Sequence, residues 1–201
     1  MKALYSQVVI ETVLVSSLRV AEMTKMLENI QRSVNIGLMN ELKIVADKMN
    51  IDLFEVINAA ASKPFGFIPY FPGPGLGGHC IPIDPFYLTW KAKELGVKTQ
   101  LIDLAGKINK KMPDFVMGKI KKQLKKISKT IKDSSILILG IAYKKNTDDL
   151  RESPSLVILN ELILMGSKVK YHDPYIPILP KTRNYNFSLK SIDLGSGILK
   201  S

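Results

Sequence analysis

Residues 134–140, Ser-Ser-Ile-Leu-Ile-Leu-Gly, decide the fold. A short apolar, β-branched run ending on glycine reads as a buried strand. Residues 141–152 then form a polar loop carrying Lys144, Lys145, Asp148, Asp149 and Arg151. Ser153 before Pro154 reads as an N-cap with proline in the first helical turn. The predicted helix runs through Leu156, Val157, Leu159, Leu162 and Ile163 to Gly166, and residues 168–171 give a second strand before His172-Asp173-Pro174. Strand, loop, helix, strand is the opening unit of a doubly wound sheet, which binds ligands at the carboxyl ends of its strands. The G-x-G-x-x-G fingerprint is missing, since only Gly140 follows the strand. Two parallel strands do not make a stable sheet alone, so further elements or another chain must complete residues 133–180.

Upstream the pattern is helical. Val20, Met23, Leu27, Ile30, Val34, Leu38, Leu42 and Val45 recur at steps of three and four, the mark of an amphipathic helix. With Ser16 or Ser17 as cap and Met49 as its end, it is roughly 30 residues and about 45 Å long. That is too long for a small domain, and predicts a helix spanning two domains or a subunit interface. Residues 51–62 give a second helix capped by Asp52 and stopped before Pro64. Residues 86–95 and 99–109 give two more, and Pro113 starts a lysine-rich one reaching 132. Residues 1–19 lack clear periodicity and read as a strand or lead-in; residues 181–201 are a weakly patterned tail. The expected class is α/β overall: an all-α central domain with a long connecting helix, then a partial Rossmann-like βαβ unit.

The 201 residues are 46% hydrophobic and 23% charged, a globular composition. One cysteine excludes an internal disulfide framework and suits a reducing compartment. Met1–Ser6 lacks the start of a secretory signal and no run of about 18 apolar residues occurs, so the cytoplasm is expected and a membrane partner is not. Much of the net charge of +11 lies in the lysines between Lys107 and Lys132. Without interleaved aromatics from Gly118 onward or a nucleic-acid-binding motif, these read as a solvated helix face. No metal constellation is visible, because two histidines and one cysteine stand in separate contexts.

Residues 71–85, Phe-Pro-Gly-Pro-Gly-Leu-Gly-Gly-His-Cys-Ile-Pro-Ile-Asp-Pro, form a stiff turn-rich loop. It brings His79, Cys80 and Asp84 close in sequence. Two readings stand: a nucleophilic site, or a tight connection with a buried thiol. His79 is expected to be structural, because adjacent side chains rarely point at each other. His172 reads as a strand-end residue. Lys25 and Asn29 share one face of the long helix. Either Lys25 pairs with Glu22 at the surface, or the two aim together at a ligand oxygen.

Three ordered blocks resemble one family. They are Ala21-Glu22-Met23-Thr24-Lys25 with Asn29 and Asn40-Glu41; Gly73 to Asp84; and Leu139-Gly140-Ile141-Ala142-Tyr143-Lys144 through Arg151-Glu152-Ser153-Pro154. Across residues 1–180 the chain resembles the UDP-glucose/GDP-mannose dehydrogenases, the nucleotide-sugar 6-dehydrogenases. The run from Gly77 to Leu88 is most similar to the branch acting on UDP-N-acetylhexosamines, the glucosamine sugar first and the mannosamine sugar second. The resemblance implies two NAD-dependent oxidations of the sugar C6 alcohol to a carboxylate, for surface polysaccharide precursors. It makes Cys80 the nucleophile that captures the aldehyde and Lys25 the stabiliser of the oxyanion. Asn29 becomes a hydrogen-bond donor to the sugar or a water, and Asp84 the general base. Phe71, Gly73, Gly75 and Gly77 would line the UDP-sugar, Tyr143 and Lys144 would contact UDP, and Arg151 would reach NAD.

The resemblance also implies domains. Residues 1–19 would be a remnant of an NAD domain, 20–112 a helical dimerisation domain carrying the catalytic loop, 113–132 a basic linker helix, 133–180 a partial UDP-binding domain, and 181–201 a tail. With no glycine fingerprint before the central domain, the chain is expected to be a fragment that does not turn over alone. Steady NADH production by these 201 residues alone would overturn that expectation. A homodimer through residues 20–49 and a separately encoded NAD-domain partner are the expected associations. The competing readings are a dimerisation or binding module and, through its lysines, a nucleic-acid-binding protein.

Overall fold

The computed structural model describes residues 2–195. In chain order the elements are α1 (Lys2–Tyr5), α2 (Leu18–Met49), α3 (Leu53–Ala60), α4 (Asp84–Glu94), α5 (Leu101–Lys110), α6 (Met112–Lys126), β1 (Ser135–Leu139), α7 (Pro154–Leu164) and β2 (Lys168–His172). The chain is mostly helical with a small two-stranded parallel sheet, as expected.

Helix α2 begins where Ser17 accepts the Val20 N–H at 3.3 Å, and ends on Asn50 in the left-handed region at φ 55°. Its burial departs from its apolar periodicity. The covered positions are Asn29, Ser33, Gly37, Met39, Asn40 and Ala46, a stripe of mostly small and polar residues. The predicted apolar stripe is largely open: Val20, Met23, Leu27, Leu38, Leu42 and Val45 are 40–64% exposed. The reason is close packing. A Cβ added at Gly37 would stand 3.3 Å from Ala105 Cβ, so small residues let α2 approach α5.

In the second unit, β1 and β2 pair in register from Ser135↔Lys168 to Leu139↔His172, with α7 as the crossover. Ile141, Leu159, Leu162 and Tyr171 form the centre of its core, fully enclosed. Helix α6 lays Val116, Ile120 and Leu124 against that core and ends at Lys126, earlier than the lysine run suggested. The tail supplies the cover the sheet needed. Tyr185, Phe187 and Leu189 pack on the core, and the Ile192 N–H donates to Tyr171 O at 2.9 Å beside β2. Residues 196–201 of the expected tail lie outside the described residues.

Two local expectations change. Residues 2–5 form one short helical turn rather than a strand. Ser153 stands at the N-cap of α7 but makes no side-chain cap bond; its buried hydroxyl donates to Ile141 O at 2.8 Å. The hydroxyl thereby satisfies a carbonyl of the buried loop root, where an unpaired acceptor would be costly.

Asp47, near the end of α2, pairs with Lys119 of α6 and so ties the two units together. The hydrogen bond from Lys119, with the charges of Lys119, Lys122 and Lys43, holds the Asp47 carboxyl below the usual carboxylate range. Its folded pKa therefore lies under its unfolded one. The stabilisation is fully present above about pH 4 and is lost as pH falls through the folded value. Lys119→Met is expected to lower the melting temperature at neutral pH but not at the acid end, which circular dichroism melts across pH would show. An equal loss at all pH values would contradict it.

Candidate active site

The glycine–proline loop is held from three sides. At its start, the Gly73 N–H donates to Asn40 Oδ1 at 2.9 Å. Asn40 Nδ2 donates to Asn109 Oδ1 at 2.9 Å, and Asn109 Nδ2 donates to Ser33 O at 3.0 Å. All three side chains are buried, so the chain of amides fixes the loop to α2 and α5. At its middle, Gly75 takes φ 141°, and a Cβ there would lie 3.1 Å from Pro154 Cβ. Further on, a Cβ at Gly77 would lie 2.4 Å from Tyr143 Cβ, so only glycine fits under that side chain. Gly78, at φ 84°, donates its N–H to Arg151 O at 2.8 Å.

Cys80 follows on an exposed turn. Its carbonyl accepts the N–H groups of Ile83 and Asp84 at 3.1 and 2.8 Å, which starts α4. Asp84 Oδ2 accepts Asn29 Nδ2 at 2.8 Å. Two of the expected residues are thus in direct contact across 55 residues of sequence, and Cys80 joins them through the backbone. Lys25 bonds elsewhere. Its Nζ donates to Glu28 Oε2 at 2.8 Å in an exposed pair, rather than to Glu22. That contact lowers the Glu28 carboxyl below its ordinary value.

Phe71 stacks on Phe54 at 6.1 Å between ring centroids. Tyr143 and Lys144 leave the end of β1, and Lys144 Nζ stands 5.4 Å from the Tyr143 ring centroid. With Pro74, Gly75, Gly140 and Asp173 they line a crevice of about 440 Å³ at the carboxyl ends of the strands. Its floor is firm, because Asp173 Oδ2 accepts the Ile141 and Ala142 N–H groups at 2.9 and 3.4 Å. A cation, an aromatic ring and backbone glycines in that position suit a nucleotide diphosphate.

Arg151 lines a separate cleft of about 770 Å³ together with His79. Its guanidinium is forked on Asp149, Nη2 to Oδ2 at 2.6 Å and Nε to Oδ1 at 3.0 Å. The same pair holds the Asp149 carboxyl below the usual range and raises Arg151. A phosphate would have to compete with Asp149 for it.

Asn40, Asn109 and Ser33 escaped the reading of the sequence as site residues. For Ser33 and Asn40 a signal was the spacing of Asn29, Ser33, Gly37 and Asn40, a small and polar stripe at steps of four, four and three; Asn109 carried none.

The family model described as UDP-glucose/GDP-mannose dehydrogenase family, central domain, matches residues 19–111. That family's UDP binding domain matches residues 137–196. The chain is 38% identical over 169 residues to a UDP-N-acetyl-D-glucosamine 6-dehydrogenase of Salmonella typhi, covering 84% of this chain and 39% of the relative. It is 39% identical over 193 residues to a UDP-N-acetyl-D-mannosamine dehydrogenase of Methanocaldococcus jannaschii, covering 96% of this chain and 41% of the relative. The fold matches the structure of a UDP-D-ManNAc dehydrogenase from Pyrococcus horikoshii with a TM-score of 0.79 at 36% identity, over 87% of this chain and 41% of that one. The chain spans about two fifths of the length of the curated relatives it matches.

Proposed function

Because the chain belongs to the UDP-glucose/GDP-mannose dehydrogenase family, through its central and UDP-binding domains, we propose that it supplies the substrate site and covalent chemistry of a UDP-N-acetylhexosamine 6-dehydrogenase. We take UDP-N-acetylglucosamine as the substrate, with UDP-N-acetylmannosamine as the alternative. The observation that carries this reading is the loop itself, seated on the Asn29–Asp84 contact at one end and on Tyr143 beside the crevice at the other.

The chemistry follows from the groups present. The crevice takes the UDP, with Lys144 as counter-charge, and Phe71 to Gly77 line the path of the sugar. The Cys80 thiolate adds to the C6 aldehyde carbon and forms a thiohemiacetal. Loss of a hydride from that carbon and of the hydroxyl proton to solvent leaves a thioester, and water displaces the thiolate to give the carboxylate. Asp84, oriented by the Asn29 amide, receives the proton from that water. Lys25 stabilises the oxyanion after exchanging Glu28 for it. NAD, when bound, accepts the hydrides, and Arg151 is the residue of this chain that would meet its phosphates. The product suits surface polysaccharide precursors made in the cytoplasm, where a lone free thiol stays reduced.

Calorimetry with UDP-N-acetylglucosamine is expected to show saturable binding, weakened about tenfold or more by Lys144→Ala. No saturable binding of either UDP-N-acetylhexosamine would refute the reading.

A second observation favours a role in assembly as well. Leu38, Leu42, Val45 and Met49 expose an apolar stripe along the outer face of α2. We read it as the homodimer surface, also able to present the chain to a separate NAD-binding partner. Leu42→Glu with Leu38→Glu is expected to convert dimer to monomer in sedimentation velocity. A wild-type chain that sediments as a monomer at all concentrations would count against it.

A further inference from the structure

Tyr143 connects two places that the proposed chemistry treats separately. One face of its side chain borders the crevice at the strand ends. Another lies on the loop so closely that a Cβ at Gly77 would stand 2.4 Å from Tyr143 Cβ, and one at Gly78 would stand 2.9 Å from its ring. The crevice also has Pro74 and Gly75 on its wall, so a ligand in it touches the loop and Tyr143 together.

The root of Tyr143 is firm, because Asp173 bonds the two preceding amides and the Tyr143 N–H itself donates to Asp149 O at 3.1 Å. A ring anchored in this way transmits displacement, since packed groups do not compress. Gly78 is tethered on its other side by Arg151 O. Only His79 separates Gly78 from Cys80, whose carbonyl is bonded into the start of α4. A shift at Gly78 therefore turns Cys80 relative to the Asn29–Asp84 contact.

We propose that Tyr143 is a positioning residue for Cys80, through which a nucleotide diphosphate in the crevice holds the cysteine-bearing turn in place. The proposal rests on the nucleotide reading of the crevice given above. Its chemical consequence is order: the thiolate is presented firmly only when the UDP end of the substrate is seated.

The chain has a single cysteine, so iodoacetamide labelling of the full chain, followed by intact mass, reports Cys80 alone. Without nucleotide, Tyr143→Ala is expected to raise the labelling rate about fivefold or more, and Tyr143→Phe to leave it within about twofold. UDP, at concentrations that saturate each variant by calorimetry, slows labelling of the wild-type and Phe chains and leaves the Ala variant unchanged. Gly77→Ala, whose new Cβ must displace Tyr143, is expected to match Tyr143→Ala and serves as the second variant if that one does not fold. Wild-type labelling rates in the nucleotide-free Ala variant overturn the positioning role. UDP binding that leaves the wild-type rate unchanged overturns the coupling. If UDP does not bind the wild type, the nucleotide reading of the crevice fails, and the nucleotide-free comparison still decides whether Tyr143 positions Cys80.

Discussion

Cys80→Ser is expected to abolish formation of the uronic acid, by a factor of about 10⁴ or more, while UDP-sugar binding is kept. The size follows from chemistry. A serine hydroxyl is a far weaker nucleophile than a thiolate, and an ester would hydrolyse less readily than a thioester. No second thiol stands by, because Cys80 is the only cysteine of the chain. Two measurements check it. In an assembly that supplies the NAD site, product and NADH are followed together. On these 201 residues alone, the UDP-N-acetylhexosamine 6-aldehyde is added and the intact mass is read after trapping. The wild-type chain gains one adduct, and the serine variant gains none. Wild-type acid production by the serine variant would remove Cys80 from the mechanism.

The second large effect concerns stability. Asn40→Leu keeps the branched shape of the side chain, in a larger volume, but removes both of the hydrogen bonds described for it. The Gly73 N–H and Asn109 Oδ1 are left without their partner in a site where Asn40 is fully enclosed. Each orphaned buried group costs about 1–3 kcal/mol, so a total of about 2–6 kcal/mol is expected. For a chain of this size that is a fall of roughly 4–24 °C in melting temperature. Asn35→Leu, at a position whose side chain bonds only Gln31 O of its own helix, is expected to change stability by less than about 0.5 kcal/mol. A melting temperature for Asn40→Leu equal to that of the Asn35 variant would show that the amide chain does not hold the loop. Because the amide chain ends on Gly73, the Asn40 variant should also loosen residues 73–80, visible as faster amide exchange there.

The two halves of the molecule differ in how far local pattern could be read. The run Ser135–Leu139 is mostly apolar, bounded by glycine, and reads as a buried strand; the structure places a strand there, but with Ser135 and Leu139 exposed and the three residues between them half-buried. A cap at Ser16 or Ser17 and one at Asp52 were legible, since a cap bond closes within three residues, and the structure selects Ser17. The long helix was legible in extent but not in orientation. Its apolar stripe promised a buried face, and the structure covers the small and polar one instead. Apolar periodicity reports which residues want cover, not whether this chain provides it. Ser153 shows the same limit: its position at the start of α7 follows from Pro154, but its hydroxyl serves Ile141, twelve residues away.

The candidate site behaves likewise. Cys80 and Asp84 share one loop, and their closeness follows from chain geometry alone. Lys25 and Asn29 share a helix face, yet Asn29 bonds Asp84 while Lys25 bonds Glu28. The tail looked unpatterned because its cover for the sheet comes from three residues, Tyr185, Phe187 and Leu189, at alternating positions in an otherwise irregular segment.

By itself the sequence determined the order of the elements from α2 onward, the caps of α2 and α3, and the glycine–proline loop with its lone thiol. These depend on neighbours within one or two turns. Tertiary structure alone decided which face of α2 is covered, which of Lys25 and Asn29 meets Asp84, what anchors Gly73, and why Gly77 must be glycine beneath Tyr143. Those contacts join residues 33 or more positions apart, and no local periodicity encodes a partner at that distance.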